Sequence, residues 1–195
     1  AFLAGLDSTD WTWAVKISDF DNDGWQDVFV TNGTARAMND SDYTFTAEQL
    51  RSHHEWYYLK SLPRREERNH VMRNSASGFG FADASEDWGL GKEGVSYGAA
   101  TGDLDRDGDL DLVVMNVEEP VSIFRNDSAG GNRVLIQLKG SATTGAHVRI
   151  SAGDVEQQRQ LVLTSGFMSA NEALLHFGIG DSETVDRLEV RWPGG

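Results

Sequence analysis

Two stretches of this chain place carboxylates where a hard cation could be held. Asp19, Asp21, Asp23 and Asp27 stand at positions 1, 3, 5 and 9 of a short loop, with Gly24 at position 6. Asp103, Asp105, Asp107 and Asp111, with Gly108, repeat that arrangement. Calcium takes about 6–8 oxygen ligands at roughly 2.3–2.6 Å, a demand that alternate Asp side chains on a tight turn can meet. Glycine at position 6 permits the backbone conformation that folds the chain around an ion. Position 7 is then expected to offer its carbonyl, from Trp25 or Asp109, and position 9 to return a carboxylate. Two Ca²⁺ are therefore the expected cofactors, and their four positive charges would take the formal net charge from −14 to −10.

Electrostatics points the same way. One like-charge pair at 4 Å costs about 1 kcal/mol in water and about 4 kcal/mol at an effective dielectric of 20. Four converging carboxylates thus need a cation or raised pKa values. Magnesium fits less well, because it keeps its waters and seldom uses an all-protein cage. An EF-hand needs an acid at position 12 and flanking helices. Position 12 is Val30 or Val114, and the flanks read as strands. A dockerin-like module fails on the same two points. The bland alternative is a pair of Asp-rich hairpin turns without an ion.

The elements that must position these loops form a repeat. Residues 13–32 and 97–116 coincide at an offset of 84, matching all four Asp residues, the Gly, and Asn32 with Asn116. Arg73-Asn74 and Arg125-Asn126 each follow an apolar pair. Asp27 and Arg73 are 46 residues apart, Asp111 and Arg125 only 14, so the first unit carries a 32-residue insertion within about 33–70. There Thr46-Ala47-Glu48-Gln49 reads as a capping box, predicting a helix over 47–62 that Pro63 ends. Residues 64–68 read as a solvated charged face. Trp11, Trp13, Val15 and Ile17 alternate with Thr12, Ala14 and Lys16, which predicts a strand with the first set inward. Residues 28–30 and 112–115 read as buried strands. Gly78, Gly80, Gly89, Gly91 and Gly94 mark turns between the units. Composition shifts at Gly130-Gly131, giving predicted domains 1–130 and 131–195, the second all-β.

Bulk properties narrow the function classes. The chain has 195 residues, 39% hydrophobic, so a core can form. With 31 acidic against 17 basic residues it repels phosphate backbones and anionic membranes, so neither nucleic acid nor membrane insertion is expected. No run approaches the roughly 20 apolar residues of a membrane span, and no signal peptide is visible. The chain has no cysteine, hence no disulfide or thiolate chemistry, and no GxSxG motif. His53-His54 with Glu55 would point to different helix faces, so packing or surface roles fit better than a transition-metal site. His176 is expected to make a structural hydrogen bond. The equivalent Asp residues do not resemble the differentiated acid/base pair of a glycosidase. Trp11, Trp13 and Trp192 are expected in the core, and Trp56, Tyr57 and Tyr58 on a contact surface. Asn32, Asn39 and Asn126 open N-x-S/T glycosylation patterns.

DxDxDGxxD between two strands resembles the FG-GAP/VCBS repeat of calcium-binding β-propellers, as do the Arg-Asn pairs and Phe79-Gly80-Phe81-Ala82-Asp83. Gly166-Phe167, residues 175–180 and Val190-Arg191-Trp192-Pro193 resemble the ASPIC/UnbV domain. The resemblance implies a mainly β fold: partial propeller blades with calcium loops, a helical insertion, and a small, truncated C-terminal β-domain. Such propellers have about seven blades and only two units are countable, so a piece of a larger chain is expected. It also implies a secreted, periplasmic or cell-surface protein. Two functions follow. The first is a non-catalytic interaction module whose partner is a protein or larger assembly. The alternative is a carbohydrate- or substrate-binding part of a larger enzyme, with the aromatic insertion as a possible glycan surface.

Overall fold

The computed structural model describes residues 2–38, 40–42, 44–52, 54–76, 80–140 and 142–194. Expectations for Asn39, His53, Gly78, Phe79 and Ser141 lie outside the described residues.

The fold is mainly β. In the first unit β1 (Thr12–Ser18) and β2 (Asp27–Asn32) form a hairpin around the first Asp loop. The insertion supplies α1 (Ala47–Ser52), α2 (Glu55–Ser61) and β3 (Glu67–Arg68). Then β4 (His70–Asn74) and β5 (Phe81–Asp83) complete an antiparallel sheet ordered β1-β2-β4-β5. A short β6 (Glu93–Gly94) pairs with β3. The second unit repeats the design with β7 (Ser96–Gly102), β8 (Asp111–Asn116) and β9 (Ser122–Phe124), ordered β7-β8-β9. The offset of 84 holds in three dimensions: Ile17↔Val28 and Ser18↔Asp27 in the first hairpin become Thr101↔Leu112 and Gly102↔Asp111 in the second. The C-terminal part adds β10 (Asn132–Ile136), β11 (His147–Ala152), β12 (Val155–Gln160), β13 (Leu175–Gly180) and β14 (Arg187–Arg191). These form a β10-β13 pair and a β12-β11-β14 sheet.

Apolar burial occurs in two clusters. Ala14, Phe29 and Val71 of the first sheet pack on Ala99, Leu112 and Val114 of the second. Val148, Ile150, Leu161, Leu175 and Phe177 form the C-terminal cluster.

Several expectations need correction. The buried face of β1 is the Ala14–Lys16 face, and Val15 and Ile17 are exposed. No second sheet covers the Val15–Ile17 side among the described residues. Lys16, fully buried, is tolerated because its ammonium donates to Ser165 O and Asn171 Oδ1. Burial nevertheless pushes its pKa down to about 8. Trp11 and Trp192 are also exposed; Trp13 alone of the three packs inward, against Tyr97 and Phe167. The single helix over 47–62 is two helices, because His54 leaves helical geometry (φ −66°, ψ 146°) and caps α2 by accepting from Trp56 N. Tyr58 is buried rather than presented, while Trp56 is 65% exposed and Tyr57 lies open beside it. Residues 64–68 are not merely a solvated face. Arg64 pairs with Glu118 and Glu119, and Glu67-Arg68 forms β3. Asn32 is unavailable for glycosylation, being buried with its amide donating to Arg68 O. Asn126 likewise spends its amide on Phe20 O and Leu110 O.

Candidate metal centre

The two Asp loops are built by the same hydrogen bonds. Position 9 staples each loop to its sheet. Asp27 accepts from Phe20 N (3.0 Å) and Asn74 N (2.9 Å), as Asp111 does from Leu104 N (2.8 Å) and Asn126 N (2.8 Å). Position 1 holds the turn, with Asp19 accepting from Gly24 N and Asp103 from Gly108 N. Position 5 makes a local turn, with Asp23 accepting from Trp25 N and Asp107 from Asp109 N. Gly24 and Gly108 sit at φ +94° and +98°, a region costly for residues with a Cβ. Asn22 and Arg106 adopt positive φ as well, 61° and 64°.

These bonds bring carboxylate oxygens of each loop close together. One atom each from Asp19, Asp21 and Asp27 lies within 4.8 Å of the others, and the same is true of Asp103, Asp105 and Asp111. Asp23 and Asp107 fall outside these groups. Asp23 turns to Trp25 N and to Arg73, and Asp107 to Asp109 N. Trp25 enters the loop through its N–H. The Asp109 carboxylate points away from the group, accepting from Asn22 Nδ2 (2.7 Å) and pairing with Arg133 (3.1 Å).

Within the two loops, among the described residues, three buried carboxylate oxygens have no hydrogen-bond partner: Asp19 Oδ1, Asp21 Oδ1 and Asp103 Oδ1. Buried polar atoms are nearly always satisfied, so such orphans call for an ion or water. An all-oxygen, anionic donor set suits a hard divalent cation. The residues therefore fit calcium. Asp19, Asp21 and Asp27 would hold it in the first loop, and Asp103, Asp105 and Asp111 in the second.

The first loop is the more enclosed. Burial pushes the Asp19 pKa up to about 7, with Asp23, Asp27 and Asp21 adding to the rise against the Gly24 N–H bond. Burial likewise pushes Asp27 up to about 7, against its two backbone bonds. Asp23 is raised by burial, partly offset by the Trp25 N–H bond and Arg73. Arg73 reaches Asp21 at 2.6 Å, a cationic stand-in beside the carboxylates.

The C-terminal part seals this loop. Gly180 N donates to Asn22 O, and a Cβ on Gly178 would lie 2.1 Å from Asp19 Oδ2. Arg133 clasps the second loop through Asp109 and the Asp107 carbonyl. Asn22 and Asn126 tie the two loops together. Asn22, Arg73, Arg133 and Glu172, which accepts from Asp103 N, are the site residues that sequence reasoning missed. Only Arg73 carried a signal, as part of a repeated Arg-Asn pair.

Residues 138–195 match the ASPIC and UnbV family. Over 202 aligned residues the chain is 29% identical to cartilage acidic protein 1 of Xenopus tropicalis and of Mus musculus. It is 28% identical to that of Homo sapiens. Each alignment takes in 93% of this chain and 25% of the relative, so the chain spans about a quarter of the length of these relatives.

Beside the first loop runs a polar cleft of about 450 Å³, lined by Asp19, Thr101, Arg159, Asn171, Glu172 and His176. His176 does not make the expected structural hydrogen bond: neither ring nitrogen has a partner. Burial, then the charges of Arg159 and Arg133, push its pKa down to about 4. The Gly108 backbone opposes this from outside hydrogen-bonding geometry. The imidazole is therefore neutral at pH 7.

Proposed function

We propose that this is a calcium-binding, non-catalytic interaction module made of FG-GAP/VCBS-type propeller blades and an ASPIC/UnbV-like domain. The observation that carries it is the pair of loops, built by matched hydrogen bonds, that converge carboxylate oxygens and leave buried ones unsatisfied. Calcium acts here as a structural tie: it offsets carboxylate repulsion at the turn joining two strands and, in the first loop, beneath the C-terminal part. Recognition falls to other surfaces, among them the insertion that presents Trp56 and Tyr57. The non-catalytic reading rests on a sequence with neither cysteine nor a nucleophile motif. An extracellular or cell-surface setting accords with relatives named for cartilage. Among the described residues no helix is long and apolar enough to cross a membrane.

Calorimetric titration of calcium into chelator-stripped protein is expected to show about two sites and a higher melting temperature. Extracellular modules of this kind bind at about 10⁻⁴–10⁻³ M, so the titration runs into the millimolar range. Absence of both heat and thermal shift refutes the reading.

A second reading, a glycan-binding part of a larger enzyme, draws on exposed Trp56 and Tyr57 and on the polar cleft. It requires polysaccharide binding that Trp56→Ala or Arg159→Gln weakens.

A further inference from the structure

The two acidic loops are not equivalent where they meet. By the offset of 84, Phe20 and Asn22 of the first loop correspond to Leu104 and Arg106 of the second. Phe20 and Asn22 are buried, 5% and 1% exposed, whereas Leu104 is 57% exposed and Arg106 also lies open. The tip of the first loop is thus covered, and part of what covers it is the second loop. Asn22 Nδ2 donates to Asp109 Oδ1 (2.7 Å) at position 7 of that loop. Asn22 does so from φ 61°, a left-handed conformation in which Asn is enriched among residues with a Cβ.

A second bridge joins the bases of the loops. Asn126 N donates to Asp111 Oδ1 (2.8 Å), and its Nδ2 to Leu110 O (3.3 Å). Asn74 does the same in the first unit, with its N on Asp27 Oδ1 (2.9 Å) and its Nδ2 on Gln26 O (3.3 Å). Asn126 adds a bond across the units, its Nδ2 donating to Phe20 O at 2.7 Å. The Phe20 N–H in turn sits on Asp27 Oδ2 (3.0 Å). A hydrogen-bonded path therefore runs from Asp111 through Asn126 and Phe20 to Asp27, from a carboxylate of one site to a carboxylate of the other. The tip bridge is as direct, because Asn22 stands between Asp21 and Asp23 and Asp109 stands two residues before Asp111. Both bridges are made by amide N–H donors, which do not ligate a cation.

We propose that Asn22 and Asn126 are positioning residues that make the two carboxylate sites one cooperative calcium-binding unit. The coupling rests on the calcium reading of both loops. An ion in the second loop fixes Asp111 and the turn that carries Asp109. Those residues hold Asn126 and Asn22, and through them Phe20 and the backbone between Asp21 and Asp23. An ion arriving in the first loop then finds part of the ordering already done and binds more tightly. By linkage, an ion in the first loop favours the second by the same factor. Repulsion between the two ions opposes this, reduced by the carboxylates that surround each one.

The test is a calorimetric calcium titration of the chelator-stripped chain, run as a cycle over the two sites. Asp21→Ala disables the first loop and Asp105→Ala the second, and both spare the backbone bonds accepted at positions 1 and 9. Asp21→Asn and Asp105→Asn replace them if an alanine protein fails to fold. The overall two-ion constant of the unaltered chain, divided by the product of the two single-site constants, is the coupling factor. A factor of about five or more is expected. It should fall to about one when the cycle is repeated in an Asn22→Gly, Asn126→Ala background. Glycine accepts the positive φ at position 22, so that change removes the amide and keeps the turn. Asn residues with only a structural role would weaken each site by itself and leave the factor unchanged. Two bound ions with a factor of one or below overturn the coupling and leave the calcium reading standing. So does a factor that survives the loss of both Asn side chains. Absence of calcium binding overturns both.

Discussion

In calcium-free buffer the protein should have an unusual pH profile, because the first loop buries carboxylates whose charged form burial penalises. Asp19 has its pKa raised from 3.8 to about 7. For an acid raised on folding, the stability is fully present below the unfolded value and is lost as pH climbs through the folded one. The shift of about 3 units is worth roughly 4 kcal/mol at about 1.4 kcal/mol per unit, and about 3 kcal/mol of it falls between pH 5 and pH 8. For a chain of this size that lowers the melting temperature by about 6–12 °C. Asp27, also raised to about 7, acts in the same direction. Scanning calorimetry in calcium-free buffers should show this fall from pH 5 to pH 8. Saturating calcium should flatten the profile, with the largest rescue at pH 8. Asp19→Asn should reduce the calcium-free fall and weaken calcium binding. A flat calcium-free profile, or an Asp19→Asn protein with an undiminished fall, would refute the reasoning.

Asp111→Ala should cost about 2–6 kcal/mol in urea unfolding, since it strips the acceptor from Leu104 N and Asn126 N at once. Gly178→Ala should loosen the seal on the first loop, because the new Cβ meets Asp19 Oδ2 and the Asn22 backbone; faster proteolysis after Asn126 and weaker binding at one of two calcium sites would register it. Lys16→Met should destabilise by about 1–3 kcal/mol, removing one donor each from Ser165 O and Asn171 Oδ1, which keep Ser169 Oγ and Thr101 N, with faster amide exchange of residues 163–171 as the check.

Much of the fold is legible in the chain because it occurs twice. Asp, Gly and Asn at an offset of 84 locate both hairpins, and the strand limits of β1 and β7, and of β2 and β8, keep that offset. Such loops depend on local turn geometry, which a short sequence encodes. The inward face of β1 was not legible. Alternation shows that two faces differ, but Val15 and Ile17 look inward only if some sheet covers them. The polar residue that is buried, Lys16, finds its acceptors about 150 residues away. The helix break at His54 and the ion pairs of Arg64 with Glu118 and Glu119 were equally hidden, because each depends on distant or non-periodic partners.

The sequence by itself determined the two acidic loops, the strands beside them, the insertion, and the C-terminal segment that matches ASPIC and UnbV. Only the tertiary structure decided how the Asp residues divide their work. Position 9 spends itself on backbone N–H groups, and position 5 turns to a local N–H. In the first loop positions 1 and 3 keep buried oxygens free, and in the second position 1 does. It also placed Gly178, Gly180 and Arg133 over the loops. The physical reason is range. Turn chemistry is set within nine residues, whereas the groups that close over the first loop, Gly178 and Gly180, come from a strand far along the chain.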